Sequence, residues 1–490
     1  MKLPPRSHRS LPPGGAQSAF GTALQAAMHR FLVSAAHKSS GKTTVSLGLC
    51  AALSARGLKV QPFKKGPDYI DPLWLGAAAG RPCRNLDFHL AQGAELTGQF
   101  TRHGHSADVC LVEGNKGLYD GLDLHGANSN AALARLLGLP VVLVLDARGM
   151  TRGIAPLILG YQAFDRELNI AGVILNRLGG ARHEAKLRAV IEHYTDVAVL
   201  GAIHEDQRLA LCERHLGLIP ANESGEAAQR IGEIGERVAA QVDLDRLLAL
   251  TQTAMPLPTP LPQKTPAARP ITIAIARDAA FGFYYADDLE AFAAAGAELL
   301  PFDTLHDTHL PQADGLFIGG GFPESFLDQL ESNVALRADI HAAIEAGLPA
   351  YAECGGLMYL ARSISWGGRT RSMVGSIEGD VVMHAKPVGR GYVRLGVTEA
   401  HPWLTSAGSL PAHEFHYSSV EGLPAATRYA YRVERGYGVD GAHDGIVHKN
   451  LLASYTHLRC TSACDWVARF VAHVRACKAQ RLPPQRLSMP

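Results

Sequence analysis

The chain has 490 residues, and its 47 lysines and arginines against 46 aspartates and glutamates give a formal net charge of +1. This balance argues against a basic nucleic-acid-binding protein and against an acidic disordered chain. With 47% hydrophobic residues and no apolar run near the ~20 residues of a membrane helix, the composition indicates a soluble globular protein without a membrane partner. Eight cysteines without a Cys-x2-Cys pair fit a reducing cytoplasm.

In chain order, residues 1–28 predict a disordered tail, because they combine Pro, Gly and Arg without the apolar core of a secretory signal. Residues 29–250 then alternate apolar strands with helical stretches, beginning with FLVSAA, LKVQPF and ADVCLVEG. Continuous apolar strands of this kind are typical of a parallel sheet covered on both faces. The first domain is therefore predicted to be α/β.

A proline-rich stretch, residues 251–269, predicts an extended linker. After it, ITIAIARD, ADGLFIGGG and LPAYAECGG repeat the α/β spacing and predict a second parallel sheet over residues 270–480, with antiparallel strands after about Val374. The predicted fold class is thus α/β, with two doubly wound, mostly parallel-sheet domains.

The first strand leads into a phosphate-binding pattern, Gly41-Lys42-Thr43, at the start of a helix. In such a turn backbone N–H groups hold phosphate oxygens, the lysine reaches the terminal phosphates and the threonine hydroxyl can bind Mg²⁺. Ala36 replaces the leading glycine of the usual pattern, but Glu113 ends a later strand where a carboxylate can hold Mg²⁺. The alternative is a helix cap with an unrelated surface glutamate.

Between these two motifs, FKKGPDYIDP places Lys64, Lys65, Asp68 and Asp71 directly after a strand. Ligands bind at the carboxyl ends of strands in such sheets, so the cluster could bind an anionic substrate together with a metal. A solvated turn with internal ion pairs is the alternative.

In the second domain, Cys354 follows an apolar strand and precedes Gly-Gly and a helical run. A strand-turn-helix elbow exposes its side chain, so this cysteine could be a nucleophile, or else a small buried hydrophobe. A thiolate needs an imidazole partner, and the candidates are His413, His416 and His457. The glycine loop around Gly320 and Gly321 could supply an oxyanion N–H if it adjoins the elbow, or it is only a wide turn.

Read together, these and further motifs resemble the cobyrinate a,c-diamide synthase family over about residues 30 to 475; they include HKSSGKTT, QPFKKGPDYIDP, VEGNKGLYDG, GGGFPE, AECGGLMYL, HEFHYS and NLLASYTHL. The resemblance implies a glutamine-dependent amidotransferase. Its P-loop NTPase-like ATP domain would be similar to dethiobiotin synthetase, and its second domain would be a class I glutaminase. ATP would phosphorylate an acetate side chain of a tetrapyrrole, and ammonia from glutamine would displace the phosphate.

The resemblance also implies residue roles. Cys354 attacks glutamine with His457 as its partner, Gly320 and Gly321 form the oxyanion loop, and the third triad carboxylate stays unassigned. Asn176 recognises adenine, and Lys64 with Asp71 steers the substrate carboxylate or phosphate. The residues implied to hold the ATP phosphates are Lys38, Ser39, Ser40, Gly41, Lys42 and Thr43, and those implied to bind Mg²⁺ are Thr43, Asp68 and Glu113. The expected partners are the tetrapyrrole, L-glutamine and ATP, and a homodimer is left open.

Two departures from the family pattern bear on the acceptor: Asn115-Lys116 stands where small or apolar residues are common, and Ala412 where glycine is usual. Relatives of the family amidate sirohaem or nickel sirohydrochlorin, so these acceptors remain an alternative to a corrin. A P-loop switch or partition ATPase with a docking domain is the alternative from another class. It leaves GGGFPE and AECGG without a purpose.

Overall fold

The computed structural model describes residues 28–209, 213–214, 217–218, 220–222, 226–253, 270–404 and 408–481. The predicted tail up to residue 27 and the predicted linker from residue 254 to residue 269 lie outside this range. Met28 and residues 251–253 do not belong to those segments. A helix runs from Leu244 to Thr251, and Met28 pairs with Thr253 and His29 with Gln252 at one end of the first sheet.

The first unit alternates strands and helices. Its strands are β1 (Met28–Ala35), β2 (Val60–Lys65), β3 (Arg84–Leu86), β4 (Val109–Glu113), β5 (Val141–Asp146), β6 (Ile170–Leu178), β7 (Ala198–His204), β8 (Glu213–Arg214), β9 (Gly217–Leu218) and β10 (Gln252–Thr253). Its helices are α1 (Lys42–Ala55), α2 (Ile70–Ala79), α3 (Gly93–Gly104), α4 (Asn130–Leu137), α5 (Ile154–Phe164), α6 (Ala181–Tyr194), α7 (Ala227–Gln241) and α8 (Leu244–Thr251).

Within the described residues, seven parallel strands form the first sheet in the order β3-β2-β4-β1-β5-β6-β7, with β10 antiparallel to β1. Successive strand residues point to opposite faces, so Phe31 and Val33 pack on α1, α2, α7 and α8, whereas Leu32 packs on α3, α4, α5 and α6. Burial on both faces explains the continuous apolar strands and confirms the predicted parallel sheet.

The second unit carries a mixed sheet. Its strands are β11 (Ile271–Ala276), β12 (Phe281–Phe283), β13 (Ala297–Phe302), β14 (Gly315–Ile318), β15 (Gly320–Gly321), β16 (Ala350–Glu353), β17 (Ala361–Trp366), β18 (Arg369–Ser372), β19 (Ile377–Met383), β20 (Gly389–Val397), β21 (Ser409–His416), β22 (Ser418–Glu421), β23 (Arg428–Arg435), β24 (His443–His448) and β25 (Leu451–Ser454). Its helices are α9 (Ala286–Ala294), α10 (Leu327–Ser332), α11 (Val334–Glu345), α12 (Gly355–Leu360) and α13 (Trp466–Arg481).

The main sheet of this unit has the order β13-β11-β14-β16-β25-β24-β23-β20-β21. The strands from β13 to β25 in this order are parallel, and the remaining pairs are antiparallel, as expected after Val374. The strands β18-β17-β19-β22 form a separate small sheet. Because β16 pairs with β25, the residues that follow these two strands meet at one edge.

Buried polar contacts join the two units. Arg459 of the second unit is 1% exposed; its guanidinium pairs with Asp287 at 2.8 Å and donates to the carbonyl of Asn85 in the first unit. The Tyr392 hydroxyl donates to Asp87 at 3.0 Å across the same boundary. A buried guanidinium needs its partners in place, so these contacts fix the units against each other. Among the described helices, none is long and apolar enough to cross a membrane.

Candidate functional site

The turn between β1 and α1 has the shape of a phosphate-binding loop. Gly41 has φ 88°, and a Cβ on it would lie 2.1 Å from the amide nitrogen of Asn176, so only glycine allows that approach. The Asn176 amide donates to the Ser40 carbonyl at 2.9 Å. Lys38 and Ser39 are exposed at the tip, and Ser40 is buried. The structure therefore brings Asn176 against the loop that was predicted to hold phosphates.

Lys42 and Thr43 begin α1 beside this loop. Lys42 is 7% exposed, and burial lowers the pKa of its ammonium to about 8 although Glu113 opposes that shift. The Thr43 hydroxyl donates to Oε1 of Glu113 at 2.8 Å. An anion at this helix N-terminus would raise the pKa of the Lys42 ammonium towards its ordinary value.

Lys64 lies among three carboxylates. Its Nζ is 3.0 Å from Oε1 of Glu113 and 3.9 Å from Oδ2 of Asp68, and it pairs with Asp71. The Lys64 and Glu113 side chains are 4% and 0% exposed and that of Asp68 is 34% exposed, so the cluster is buried at Lys64 and open to solvent at Asp68. Lys65 does not join it, because its Nζ donates to Oδ1 of Asn115 at 3.0 Å instead.

Burial shapes the charges of this cluster. Burial raises the pKa of Asp68 to about 7 and also raises the pKa of Glu113. Burial opposes the charge of Lys64, yet Asp71 and Glu113 hold the pKa of its ammonium well above the usual value. Oε2 of Glu113 is buried and accepts no hydrogen bond from the described residues. A free carboxylate oxygen among oxygen donors fits a hard cation such as Mg²⁺.

Cys354 lies at a sharp elbow between β16 and α12. Its φ of 48° is unusual for a residue with a side chain, and its backbone N–H donates to the Ser454 carbonyl at 2.7 Å. Such strain persists only where the surroundings hold it, as they do at many functional sites. The thiol lies beside His457 and helps to raise the pKa of that imidazole, so it is more than a buried hydrophobe.

Of the three candidate histidines, His457 is the partner of the cysteine. Burial works against its charge, but hydrogen bonds with Cys354 and Glu353 raise the pKa of the imidazole to about 10. His413 exchanges backbone hydrogen bonds with His457 and its ring centroid lies 5.7 Å from that of His457, but burial lowers the pKa of the His413 ring to about 3. His416 stacks on Tyr455 with ring centroids 3.9 Å apart. An imidazolium beside a thiol favours the reactive thiolate.

Glu353, which was not among the residues predicted from the sequence, orients this histidine. Oε2 of Glu353 lies 3.2 Å from Nδ1 of His457, while Oε1 accepts hydrogen bonds from the Tyr351 hydroxyl at 2.7 Å and from the Leu458 N–H at 3.0 Å. Glu353 is 3% exposed. A signal was present, since this is a charged residue at the end of the apolar strand LPAYAE.

The glycine loop adjoins the elbow, which was the condition for an oxyanion site. A Cβ on Gly355 would lie 2.9 Å from the nitrogen of Gly321, and a Cβ on Gly320 would lie 2.9 Å from Cε1 of His457. Glycines at both turns therefore let the two backbones and the imidazole approach one another. A merely wide turn would not require this closeness.

Tyr69 connects the two clusters. It lies between Asp68 and Asp71 of the first unit, yet its ring centroid is 5.0 Å from that of His457 and 4.5 Å from that of Tyr285. The ring is 8% exposed and also stacks on Phe283 at 5.6 Å. One short segment thus belongs to both sites.

Comparisons with known proteins agree with the division of the chain into two units. The family profile described as a CobQ/CobB/MinD/ParA nucleotide binding domain matches residues 32–218, and that of a CobB/CobQ-like glutamine amidotransferase domain matches residues 272–463. The chain is 47% identical to the cobyrinate a,c-diamide synthase of Magnetococcus marinus, over 90% of this chain and 97% of that protein. It is 39% identical to the enzyme of the same name from Methanosarcina barkeri, over 93% and 98% of the two chains. For the Synechocystis relative the identity is 40%, over 90% and 92%.

Proposed function

Because the chain belongs to the cobyrinate a,c-diamide synthase family, we propose that it amidates the a and c acetate side chains of cobyrinic or hydrogenobyrinic acid in cobalamin biosynthesis. Glutamine supplies the nitrogen, and ATP activates the carboxylate. The chain is thus a carbon-nitrogen ligase of the glutamine amidotransferase type. The amidotransferase match over residues 272–463 also argues against a switch or partition ATPase, which would not need that domain.

The second unit releases the nitrogen. The Cys354 thiolate attacks the side-chain amide carbon of glutamine, and the resulting oxyanion is held by backbone N–H groups of the glycine loop at Gly320 and Gly321. Protonated His457 gives its proton to the departing nitrogen, which leaves as ammonia. Water then hydrolyses the thioester to glutamate, with neutral His457 as the base. Glu353 fixes the imidazole throughout.

The first unit activates the acceptor. A carboxylate resists nucleophiles, so an oxygen of the acetate attacks the γ-phosphorus of ATP, ADP leaves and an acyl phosphate forms. Ammonia attacks the acyl carbon and phosphate leaves, which gives the amide. Lys42 and the turn from Lys38 to Gly41 hold the ATP phosphates, and Asn176 reads the adenine. Lys64 and Asp71 orient the acetate or the transferred phosphoryl group.

Mg²⁺ fits the same cluster, because Thr43, Asp68 and Glu113 offer hard oxygen donors and Oε2 of Glu113 has no other described partner. When bound, the ion neutralises charge that develops on the phosphoryl oxygens. Lys64 adds a positive charge of the chain itself among these carboxylates.

The observation that carries the proposal is the position of the segment from Asp68 to Asp71. Its carboxylates lie in the ATP cluster while the Tyr69 ring contacts the catalytic histidine of the glutaminase. Ammonia released at Cys354 therefore forms next to the site at which the carboxyl group is activated.

Two variants test the division of labour. Cys354→Ala should lose glutamine hydrolysis and glutamine-driven amidation but keep amidation with ammonium chloride, whereas Glu113→Gln should lose amidation from both nitrogen sources and keep hydrolysis. If ammonium failed to support Cys354→Ala, or if Glu113→Gln still made the amide, the two-site proposal would be wrong.

The acceptor is tested separately. The enzyme is incubated with cobyrinic acid, hydrogenobyrinic acid, sirohaem, or sirohydrochlorin with or without nickel. The mass of each product is then measured by mass spectrometry. Two amide substitutions on a corrin acceptor, and none on the others, support the proposal. A cytoplasmic location and a homodimer remain predictions, to be checked by cell fractionation and light scattering.

A further inference from the structure

A cavity of about 750 Å³ lies between the two units, next to the ATP cluster. From the first unit it is lined by Lys65 and Asn115, which follow Lys64 and Glu113 by one and two residues, and by Lys116. From the second unit it is lined by the antiparallel strands β20 and β21 and by the end of β23. Both units therefore form its wall.

This wall carries positive charge that the chain does not neutralise. Lys65 is 5% exposed, and Nζ donates only to the amide oxygen of Asn115 among the described residues. Lys116, Arg390 and Arg435 form no ion pair with a described residue. The buried Asp87 carboxylate partly offsets the cost of burying this ammonium, but no described carboxylate forms an ion pair with it, so the position of Lys65 points to an anionic ligand. Burial also lowers the pKa of its ammonium to about 8.

The two acidic residues of the lining are already occupied. Glu414 accepts hydrogen bonds from the N–H groups of Tyr437 and Gly438, both at 2.8 Å, and its carboxylate is 3.6 Å from His416. Asp120 accepts from the Gly117 N–H at 2.8 Å. Neither carboxylate pairs with a described cation that lines the cavity. The positive charge of the cavity is therefore left for a ligand.

Aromatic faces lie between these cations. Phe415, on β21, and Tyr437, two residues after the end of β23, are both 37% exposed, so large ring faces line the cavity. Arg390 is the cross-strand partner of Phe415, and its guanidinium carbon lies 5.5 Å from that ring centroid. Apolar faces surrounded by separate cations suit a broad, partly apolar ligand that carries several carboxylates.

We infer that the glutaminase unit forms half of the macrocycle site, with Arg390 and Arg435 binding carboxylates that do not react and Phe415 and Tyr437 covering the ring. The inference rests on the proposed function and deepens it. The second unit then selects the acceptor as well as supplying ammonia. An acceptor whose side chains are esterified loses the contacts with the arginines and binds weakly.

The test uses Arg390→Gln, Arg435→Gln and the double variant of the full chain, with ammonium as nitrogen source so that glutamine chemistry plays no part. Each single variant should raise the KM for cobyrinic acid by ~10-fold or more, because a charge-assisted contact is lost, without a comparable change in the KM for ATP. Arg432→Gln is the matched control, because this exposed arginine on the same strand β23 forms a surface ion pair with Glu434.

A second readout is equilibrium dialysis of cobyrinic acid and of its heptamethyl ester against each protein. The wild type should bind the acid more tightly than the ester, and this preference should be at least tenfold smaller in the double variant, where only the lysines remain. Unchanged KM values and an unchanged preference for the acid would overturn the inference while leaving the proposed function intact. If the wild type amidates no macrocycle, the proposed function fails, and the dialysis alone decides whether the two arginines bind the acid.

Discussion

Replacing Glu353 with glutamine changes the glutaminase site through the hydrogen bonds that hold His457 in place. The carboxylate accepts hydrogen bonds from three groups, on His457, Tyr351 and Leu458. A glutamine offers one oxygen and one NH₂ group, so its NH₂ faces either the Leu458 N–H or Nδ1 of His457. In the first arrangement the NH₂ group and the Leu458 N–H, both donors, face each other. In the second the ring proton of His457 moves to Nε2. Either outcome disturbs the imidazole that contacts Cys354.

The magnitude follows from the lost charge. A hydrogen bond to a charged group contributes about 1.5–3 kcal/mol, so kcat/KM for glutamine hydrolysis should fall by about 10- to 150-fold. The pH profile should change as well. The pKa of about 10 places the basic limb of the wild type near that pH, because His457 must be protonated when ammonia departs. Removing the neighbouring negative charge lowers this pKa, so the limb moves to lower pH.

The assay is glutamate release between pH 6 and pH 10, with ammonium-driven amidation measured on the same preparations. Amidation from ammonium should stay near the wild-type rate, because Glu353 does not touch the ATP cluster. Glu378→Gln, an exposed glutamate of β19, is the control and should behave as the wild type. Hydrolysis within twofold of the wild type, with an unmoved basic limb, would refute the role given to Glu353.

Three further predictions concern single side chains. Gly320→Ala should lower glutamine hydrolysis at least tenfold and spare ammonium-driven amidation, because the new Cβ would lie 2.9 Å from Cε1 of His457; equal loss of both activities would contradict this. The pKa of Asp68, about 7, predicts that Mg·ATP binds about tenfold more weakly at pH 6, where this carboxyl is mostly protonated, than at pH 8. Calorimetry should show this difference in the wild type and its disappearance in Asp68→Asn, and a difference that persists in Asp68→Asn would assign it to another group. Lys64→Met leaves three carboxylates without their cation and should lower the free energy of unfolding by about 3–5 kcal/mol in a urea titration at pH 8, whereas exposed Lys59→Met should change it little.

The two elbows could be predicted from the sequence because each is made of consecutive residues. The turn before Thr43 and the turn at Cys354 both follow an apolar strand and precede a helix. Gly41 adopts a positive φ at the first turn, and Gly355 leaves room for the glycine loop at the second. Strand alternation also explains the different positions of Lys64 and Lys65. Adjacent strand residues point to opposite faces, so one lies among the carboxylates and the other lines the cavity.

The parts of the site that could not be predicted from the sequence depend on contacts between distant segments. Glu353 meets His457 only because β16 pairs with β25, which brings together residues 104 positions apart. The choice among three histidines depends on the same pairing, and composition could not make it. Tyr69 looks like part of the ATP segment in the sequence, and its contact with the glutaminase arises only from the docking of the two units.

The most direct measurement of the coupling is the transfer of nitrogen itself. Glutamine labelled with ¹⁵N in its side-chain amide is supplied together with unlabelled ammonium at an equal concentration, and the corrin product is analysed by mass spectrometry. We expect the new amides to carry almost only ¹⁵N in the wild type. In Tyr69→Ala, which opens the contact between the two sites, we expect the label to be diluted. An isotope ratio in the wild-type product equal to that of the ammonia in solution would contradict this expectation.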